Sequence, residues 1–320
     1  MIEIHGPFYK YTQEVLTHPE HIWVRDHHYN NDDKCHHVRK LLENSACDPQ
    51  QHLLVFDHIN IQDELTQYPY ICFPTFLARE NNEFVHEKIV PDWHNKTVIF
   101  NFMINKPRHN RTQLLKLVKQ HSLTNYRHTL AWKTNHINDI PVTNYALPTE
   151  IQIENGILNG SLKNAYIYKT LLQKEIFEPT LLSLITEPAY YEKECIVTEK
   201  TLMAIYAGTV PIWVGGWRIP DYMASMGFDV FDDIVDHSYQ NNPDPEQRCN
   251  LAIELNLELL TNFESTYNKI DLGRLHRNYE LIEKQRIFVR DVLSKATSPE
   301  LQSIVIQELL RVGKKAIVTV

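Results

Sequence analysis

The sequence predicts an α/β protein with parallel sheets, in two domains and with a helical C-terminal region. Apolar runs of strand length alternate with amphipathic helical segments, which is typical of parallel strands covered by helices on both faces. The alternation occurs in two series, separated by the polar segment 87–96, which contains Pro91. A chain of 320 residues also exceeds the usual size of one domain. We therefore expect an N-terminal α/β domain at 1–95 and a second α/β domain at 96–320.

The first domain is expected to contain a helix followed by two strands. Segment 32–46 has helical periodicity, and the apolar runs 52–59 and 69–78 have the composition of buried strands. This order is consistent with an α/β fold.

The second domain is expected to be a longer series of the same kind. Its predicted strands are 96–104, 180–187 and 210–216. Its predicted helices are 112–123, 164–177, 197–208 ending at Gly208, a short one from Pro220, 251–263 and 272–293. The region 246–311 is expected to be mostly helix, and because the helices 251–263 and 272–293 have charged outer faces, we assign them to packing.

The composition argues against several classes of protein. With 43% hydrophobic and 22% charged residues, the chain is typical of a globular protein, and its formal net charge of -8 argues against binding along nucleic acid. The five cysteines include no C-x-x-C pair, so we expect reduced thiols and a cytoplasmic location. No apolar run is long enough for a membrane span, and no signal peptide is expected.

The motif V-T-E-K at 197–200 carries the clearest chemical signal. Thr198 is expected to cap a helix that follows a strand, which puts Glu199 and Lys200 in the first helical turn. Helix starts at the carboxyl edge of a parallel sheet bind anions. Lys200 could contact a pyrophosphate, and the Glu199 carboxylate could accept hydrogen bonds from ribose hydroxyls. The alternative is a solvated pair of charges at an ordinary helix start.

A second basic segment, N-K-P-R-H-N-R at 105–111, occupies the equivalent strand-to-helix position earlier in the domain. It would bring Lys106, Arg108 and Arg111 to the edge of the same sheet. A guanidinium group binds phosphate oxygens in a bidentate manner and can stabilise charge on a departing diphosphate. A basic loop facing solvent is the alternative.

Segments 101–115 and 180–216 resemble the donor-binding core of the α1,3-fucosyltransferases and related viral and bacterial glycosyltransferases. The similar features are the strand, arginine loop and helix of N-F-M-I-N-K-P-R-H-N-R, an acidic strand end, V-T-E-K, and the strand V-P-I-W-V-G-G. The resemblance covers about 97–240, less than half of the chain. It implies a GT-B-like architecture of two Rossmann-like domains, with the donor on the C-terminal domain and the acceptor on the N-terminal one.

The resemblance also implies roles for individual residues. Lys200 and either Arg108 or Arg111 would hold the diphosphate of a GDP-sugar or UDP-sugar, and we favour Arg111 because it lies at the helix start. Glu199 would bind the ribose, and Glu187 would face the same cleft from the strand end. Thr198, as the helix cap, completes this donor-binding set.

Gly215 and Gly216 could let the backbone approach the donor closely, or could form a simple turn. Trp213 and Trp217 bracket the two glycines. They could stack on a base or sugar, although we favour packing for an aromatic side chain beside a buried strand.

An inverting glycosyltransferase needs a general base to deprotonate the acceptor, which could be a glycan or another hydroxyl compound. In V-F-D-H-I-N at 55–60, Asp57 is the candidate and His58 the alternative, although the family's surrounding motif is absent. An aspartate at a strand end can equally be a cap or turn former.

Two further hypotheses follow from the sequence. The segment 25–37 contains four histidines and three aspartates, which could form the metal site of a hydrolase, but its spacing does not match a common metal motif. The chain has no D-x-D motif, only Asp232 and Asp233 side by side, so we expect a metal-independent transferase. The other hypothesis is a non-catalytic protein that binds sugar nucleotides or glycans.

Overall fold

A computed structural model of the chain shows an α/β protein. The residues that the structure describes are 3–5, 21–24, 53–56, 70–72, 94–104, 109–129, 136–137, 140–141, 176–187, 195, 197–295 and 315–317. By its internal contacts the chain divides into two units. The first unit comprises 1–79, 192–196 and 284–320, and the second comprises 80–191 and 197–283.

The first unit contains a five-stranded parallel sheet. Its strands are β1 (Glu3–His5), β2 (His21–Val24), β3 (Leu53–Phe56), β4 (Tyr70–Cys72) and β11 (Lys315–Ile317), which lie side by side in that order. The predicted strands 52–59 and 69–78 are confirmed as β3 and β4, each shorter than expected, whereas the predicted helix 32–46 lies outside the described residues. The last strand, β11, comes from the C-terminal end of the chain, which the sequence analysis assigns to the second domain. The predicted boundary near residue 95 stays a prediction.

The second unit contains a four-stranded parallel sheet of β5 (Val98–Met103), β6 (Tyr126–Thr129), β9 (Thr180–Ile185) and β10 (Val210–Trp213). These strands lie side by side in the order β10, β9, β5, β6. The predicted strands 96–104, 180–187 and 210–216 are confirmed as β5, β9 and β10. All of their residues are buried, because both faces of a parallel sheet are covered in an α/β fold. A separate antiparallel pair joins β7 (His136–Ile137) and β8 (Ile140–Pro141).

The described residues form seven α-helices. They are α1 (His109–Gln120), α2 (Glu199–Tyr206), α3 (Ile219–Ser225), α4 (Pro245–Glu254), α5 (Leu257–Thr261), α6 (Phe263–Lys269) and α7 (Leu272–Lys295), and a 3₁₀ turn spans Ser238–Asn241. Apolar residues of α1, α4 and α5 join the apolar side chains of the sheet in one core.

One predicted helix, 251–263, is wrong as a continuous element. The structure divides it among α4, α5 and α6. At the first break, the side chain of Asn256 accepts a hydrogen bond from Asp236 N at 2.9 Å and donates one to Asp236 O at 3.1 Å. An asparagine that bonds to a distant backbone competes with helix continuation, which explains the break.

The chain changes direction within the second sheet. From β5, helix α1 leads outward to β6, whereas from the adjacent β9, helix α2 leads to β10 on the other side. Right-handed crossovers place two such helices on opposite faces of a sheet. The carboxyl ends of β5 and β9 therefore border a topological switch point, where open α/β sheets bind ligands.

Candidate functional site

The Glu187 side chain organises the start of α2 at the carboxyl end of β9. Its carboxylate is fully buried and accepts hydrogen bonds from Thr198 N at 2.9 Å, from Thr201 Oγ1 at 2.7 Å and from the Thr198 hydroxyl. Lys200 Nζ lies 3.6 Å from Glu187 Oε2. The position at the start of α2 that would suit an anion is thus occupied by a carboxylate of the chain itself.

Thr198 is the N-cap of α2, as the sequence predicts. It has extended backbone dihedrals, and its hydroxyl accepts from Lys200 N at 3.5 Å and from Lys200 Nζ at 2.9 Å. The lysine side chain therefore folds back over its own helix start. With 10% of the side chain exposed, Lys200 is a largely desolvated cation beside a fully buried anion.

Thr201 connects this cluster to the neighbouring strand. Its hydroxyl donates to Glu187 and accepts from Trp213 Nε1 at 3.0 Å. Because Trp213 is the last residue of β10, this pair fixes the end of that strand against the first turn of α2. Trp213 is 1% exposed and belongs to the core, which agrees with the packing role favoured from the sequence.

The start of α1 meets the same strand end. Asn110, in the first turn of α1, donates from Nδ2 to the main-chain oxygen of Glu187 at 2.8 Å. Its Oδ1 atom is buried and has no hydrogen-bond partner among the described residues. Arg111 follows in the same turn and is 5% exposed. The helix begins at His109 rather than at the expected residue 112, so Arg111 lies within the helix and not in a loop.

The structure therefore brings several predicted site residues together. Thr198, Lys200 and Glu187 share one hydrogen-bonded cluster, and Arg111 lies next to a residue that binds the backbone of Glu187. Glu199 is the first residue of α2. Three other predicted site residues, Arg108, Asp57 and His58, lie outside the described residues.

The segment after β10 forms a third part of this edge of the sheet. Gly215 and Gly216 both have positive φ, of 97° and 85°, a backbone conformation that favours glycine. A Cβ atom on Gly216 would collide with the Ile219 side chain. Gln240 holds the backbone two residues after Gly216, since its Oε1 accepts from Arg218 N at 2.7 Å.

A partly buried histidine packs against this segment. The ring of His237 lies 5.7 Å from that of Trp213, and burial is the main cause that lowers the pKa of His237 below its usual value. Its Nε2 lies 2.9 Å from Val230 O, an acceptor, so Nε2 carries the proton and Nδ1 accepts from the Tyr239 hydroxyl at 3.2 Å. Burial also raises the pKa of Tyr239 far above its usual value.

No group of three or more potential metal ligands occurs within the part of the chain that the structure describes. The predicted cluster at 25–37 lies outside that part.

Asp233 forms a bidentate pair with Arg274, at 2.8 and 2.7 Å, and Arg274 also binds Asp229. These hydrogen bonds are the main cause that lowers the pKa of both aspartates.

Asn110, Thr201 and Gln240 are parts of this site that the sequence analysis did not identify. A local signal existed for Thr201, because V-T-E-K-T places a second hydroxyl one helical turn after the cap. Asn110 and Gln240 bind main-chain atoms that are 77 and 22 residues away in sequence. No local pattern signals such pairs.

The fold and this edge define an α/β protein with a four-stranded parallel sheet, compatible with a Rossmann-like fold. No family model matches the chain, and neither a curated protein nor a solved structure matches it significantly. Among the helices that the structure describes, none has the length and apolar character needed to cross a bilayer.

Proposed function

We propose that this chain is a glycosyltransferase that moves a sugar from a nucleotide diphosphate donor to a hydroxyl acceptor. The observation that carries the proposal is the meeting of two helix starts, α1 with Arg111 and α2 with Lys200, at the switch point of a parallel sheet. Because Glu187 already occupies the start of α2, it is the Arg111 and Lys200 side chains and the N-terminus of α1 that favour an anionic ligand, such as a diphosphate.

Each residue has a defined part in this proposal. Lys200 and Arg111, with Arg108 as the alternative arginine, bind the diphosphate and stabilise its charge as it leaves. Glu199 binds the ribose of a GDP-sugar or UDP-sugar. The unpartnered Asn110 Oδ1 supports a ligand at this edge, because a ligand hydroxyl would satisfy it.

The chemistry is a displacement at the anomeric carbon. The acceptor oxygen forms a bond to this carbon, the bond from the carbon to the phosphate oxygen breaks, and the nucleoside diphosphate leaves with the electron pair. The proton of the acceptor passes to a general base, Asp57 or His58. One displacement inverts the configuration of the sugar. A GT-B architecture, independence of metal and a cytoplasmic location belong to the same proposal.

The binding part of the proposal is tested by titration calorimetry with pyrophosphate, GDP and UDP. The test variant is Lys200→Met, and the matched control is Lys96→Met. Lys96 is also a buried lysine beside α2. Its Nζ atom donates to Ala207 O at 2.9 Å, at the C-terminal end of that helix and so at the end opposite Lys200. We expect Lys200→Met to weaken all three ligands at least about tenfold, and Lys96→Met to bind them like the parent.

A second variant covers the case in which Lys200→Met does not fold. Arg111→Lys keeps the positive charge but loses the forked donors, so we expect weaker diphosphate binding from a folded protein. If the parent binds neither pyrophosphate nor any nucleotide, or if Lys96→Met loses as much affinity as Lys200→Met, the proposed site is wrong.

Catalysis is tested by the release of nucleoside diphosphate from GDP-sugars and UDP-sugars. We expect Asp57→Asn to abolish release while nucleotide affinity stays unchanged. Unchanged release in both Asp57→Asn and His58→Gln would exclude them as the base.

Chelator treatment separates the metal-dependent hydrolase, which would lose activity, from the proposed transferase, which would keep it. A chain that binds donors without any turnover would be the non-catalytic alternative.

A further inference from the structure

Trp217 is partly exposed, unlike Trp213 on the other side of the glycine pair. Trp213 is buried in the core, whereas Trp217 follows Gly216 at the carboxyl edge of the sheet and is partly exposed. Trp213 Nε1 also donates to Thr201 in the first turn of α2, so the segment that carries Trp217 leaves the sheet beside the Lys200 cluster. Trp217 is thus the described tryptophan with surface available to a ligand at this edge.

The indole ring of Trp217 rests on a buried cation. The guanidinium carbon of Arg248 lies 4.9 Å from the ring centre, and Arg248 is only 1% exposed. Arg248 Nη1 donates to the main-chain oxygen of Asn242 at 3.0 Å, which holds the guanidinium group in place. A desolvated cation on an indole face gives a favourable interaction and fixes the ring orientation.

The backbone on both sides of Trp217 is held by one side chain. Gln240 accepts from Arg218 N at 2.7 Å, and its Nε2 lies 3.5 Å from Trp213 O. Gln240 is itself 5% exposed. A ring that is supported on one face and anchored through its backbone loses little conformational freedom when a ligand stacks on it.

We infer that Trp217 stacks on the nucleobase of the bound nucleotide. The inference rests on the proposed function, because Lys200 must hold the diphosphate for the base to reach this ring. Neighbouring strand ends lie about 5 Å apart, so a nucleotide held at the end of β9 has its nucleoside within reach of the segment after β10. Stacking tolerates any base, but the overlap with an indole is larger for a purine than for a pyrimidine. Trp217 therefore favours GDP over UDP.

The test compares nucleotides with pyrophosphate, which has no base. Titrations of GDP, UDP and pyrophosphate are made with the parent, Trp217→Ala and Trp217→Phe. We expect Trp217→Ala to weaken GDP binding about 5- to 100-fold, to weaken UDP binding less, and to leave pyrophosphate binding unchanged. Trp217→Phe keeps an aromatic ring and should lie between the parent and Trp217→Ala. Leu255→Ala, which shortens an apolar side chain that is 43% exposed, is the control and should bind all three like the parent.

Fluorescence gives a second measurement that needs only the conservative variant. GDP should quench the tryptophan emission of the parent, and pyrophosphate should not. Trp217→Phe should lose this quenching while it still binds GDP by calorimetry. If Trp217→Phe is quenched like the parent, a different tryptophan senses the base and the inference is wrong.

The outcomes separate this inference from the proposed function. If GDP and pyrophosphate both depend on Lys200 but Trp217→Ala binds GDP like the parent, stacking is overturned and the diphosphate site stands. If Trp217→Ala loses pyrophosphate and GDP to the same extent, the tryptophan only maintains the structure, and stacking is again overturned. If the parent binds neither GDP nor pyrophosphate, both the proposed function and this inference are wrong.

Discussion

The side-chain amide of Asn110 donates a hydrogen bond of 2.8 Å to the main-chain oxygen of Glu187. It links the first turn of α1 to the residue that follows β9, across the point where the connections of the sheet diverge. The two helix starts of the candidate site are therefore joined through Glu187, which lies 77 residues after Asn110 in sequence and also binds the N-cap of α2. This link makes the geometry of one helix start dependent on the other.

Replacement of Asn110 by alanine should lower the free energy of unfolding by about 1–2 kcal/mol, because it leaves a buried carbonyl without this donor. Urea denaturation measures the change. Thr261→Ala is a suitable control, since its exposed hydroxyl donates to Leu257 O at 2.9 Å and its loss should cost less than about 0.5 kcal/mol. Equal losses of unfolding free energy in the two variants would show that the Asn110 hydrogen bond contributes no more to stability than the exposed Thr261 hydrogen bond.

The buried pair of Glu187 and Lys200 should show strong energetic coupling. Lys200→Met alone leaves a fully buried carboxylate without its cation and should cost about 3 kcal/mol of stability. Glu187→Gln alone leaves the ammonium without its anion. The double variant removes both charges, so its loss should be smaller than the sum of the single losses by more than about 1 kcal/mol. Denaturant unfolding of the four proteins measures this coupling, and additive losses would contradict it.

Much of the second sheet could be predicted because three of its four strands carry their own signal. The runs at β5, β9 and β10 are apolar enough to be identified without tertiary information. The edge strand β6, with the sequence Y-R-H-T, has no apolar pattern, and its pairing with β5 is what makes it a strand. Short strands of this kind, like β7 and β8, are defined by their partners rather than by their own residues.

The residues at the start of α2 could be predicted from the sequence, whereas the tertiary contacts of the candidate site could not. Thr198 and Lys200 follow from a cap motif after a strand. The sequence also marks Glu187 as an acid at a strand end, but it does not show that Thr198 and Thr201 surround the carboxylate. Such contacts join residues that are 11 and 14 positions apart in sequence and in different elements, which local periodicity does not encode.

Stability should fall on mild acidification because of His237. Burial lowers the pKa of this histidine in the folded state, so the unfolded chain binds the proton more readily. The destabilisation therefore begins as the pH falls through the pKa of the unfolded state, about 6.5, and grows until the folded form is protonated as well. We expect the Tm of the parent to fall more between pH 7.5 and pH 5.5 than the Tm of His237→Gln. The amide of glutamine can still donate to Val230 O but does not titrate. Parallel curves would exclude His237 as the cause.

Gly216 and Gly227 provide a matched test of the turn after β10. Both have positive φ, of 85° and 88°, so alanine at either position should cost about 1 kcal/mol through backbone strain. At Gly227 the added Cβ would only reach ordinary contact, 3.5 Å from Leu281 Cδ2, whereas at Gly216 it would collide with Ile219. Gly216→Ala should therefore be the less stable variant in urea, and it alone should weaken GDP binding, because the collision displaces the segment that carries Trp217. Ile219→Ala in the Gly216→Ala background should remove the difference in GDP affinity, since it removes the colliding atoms. If GDP affinity stays low in this double variant while Gly227→Ala binds GDP like the parent, the backbone of Gly216, and not the collision, determines how the nucleotide binds.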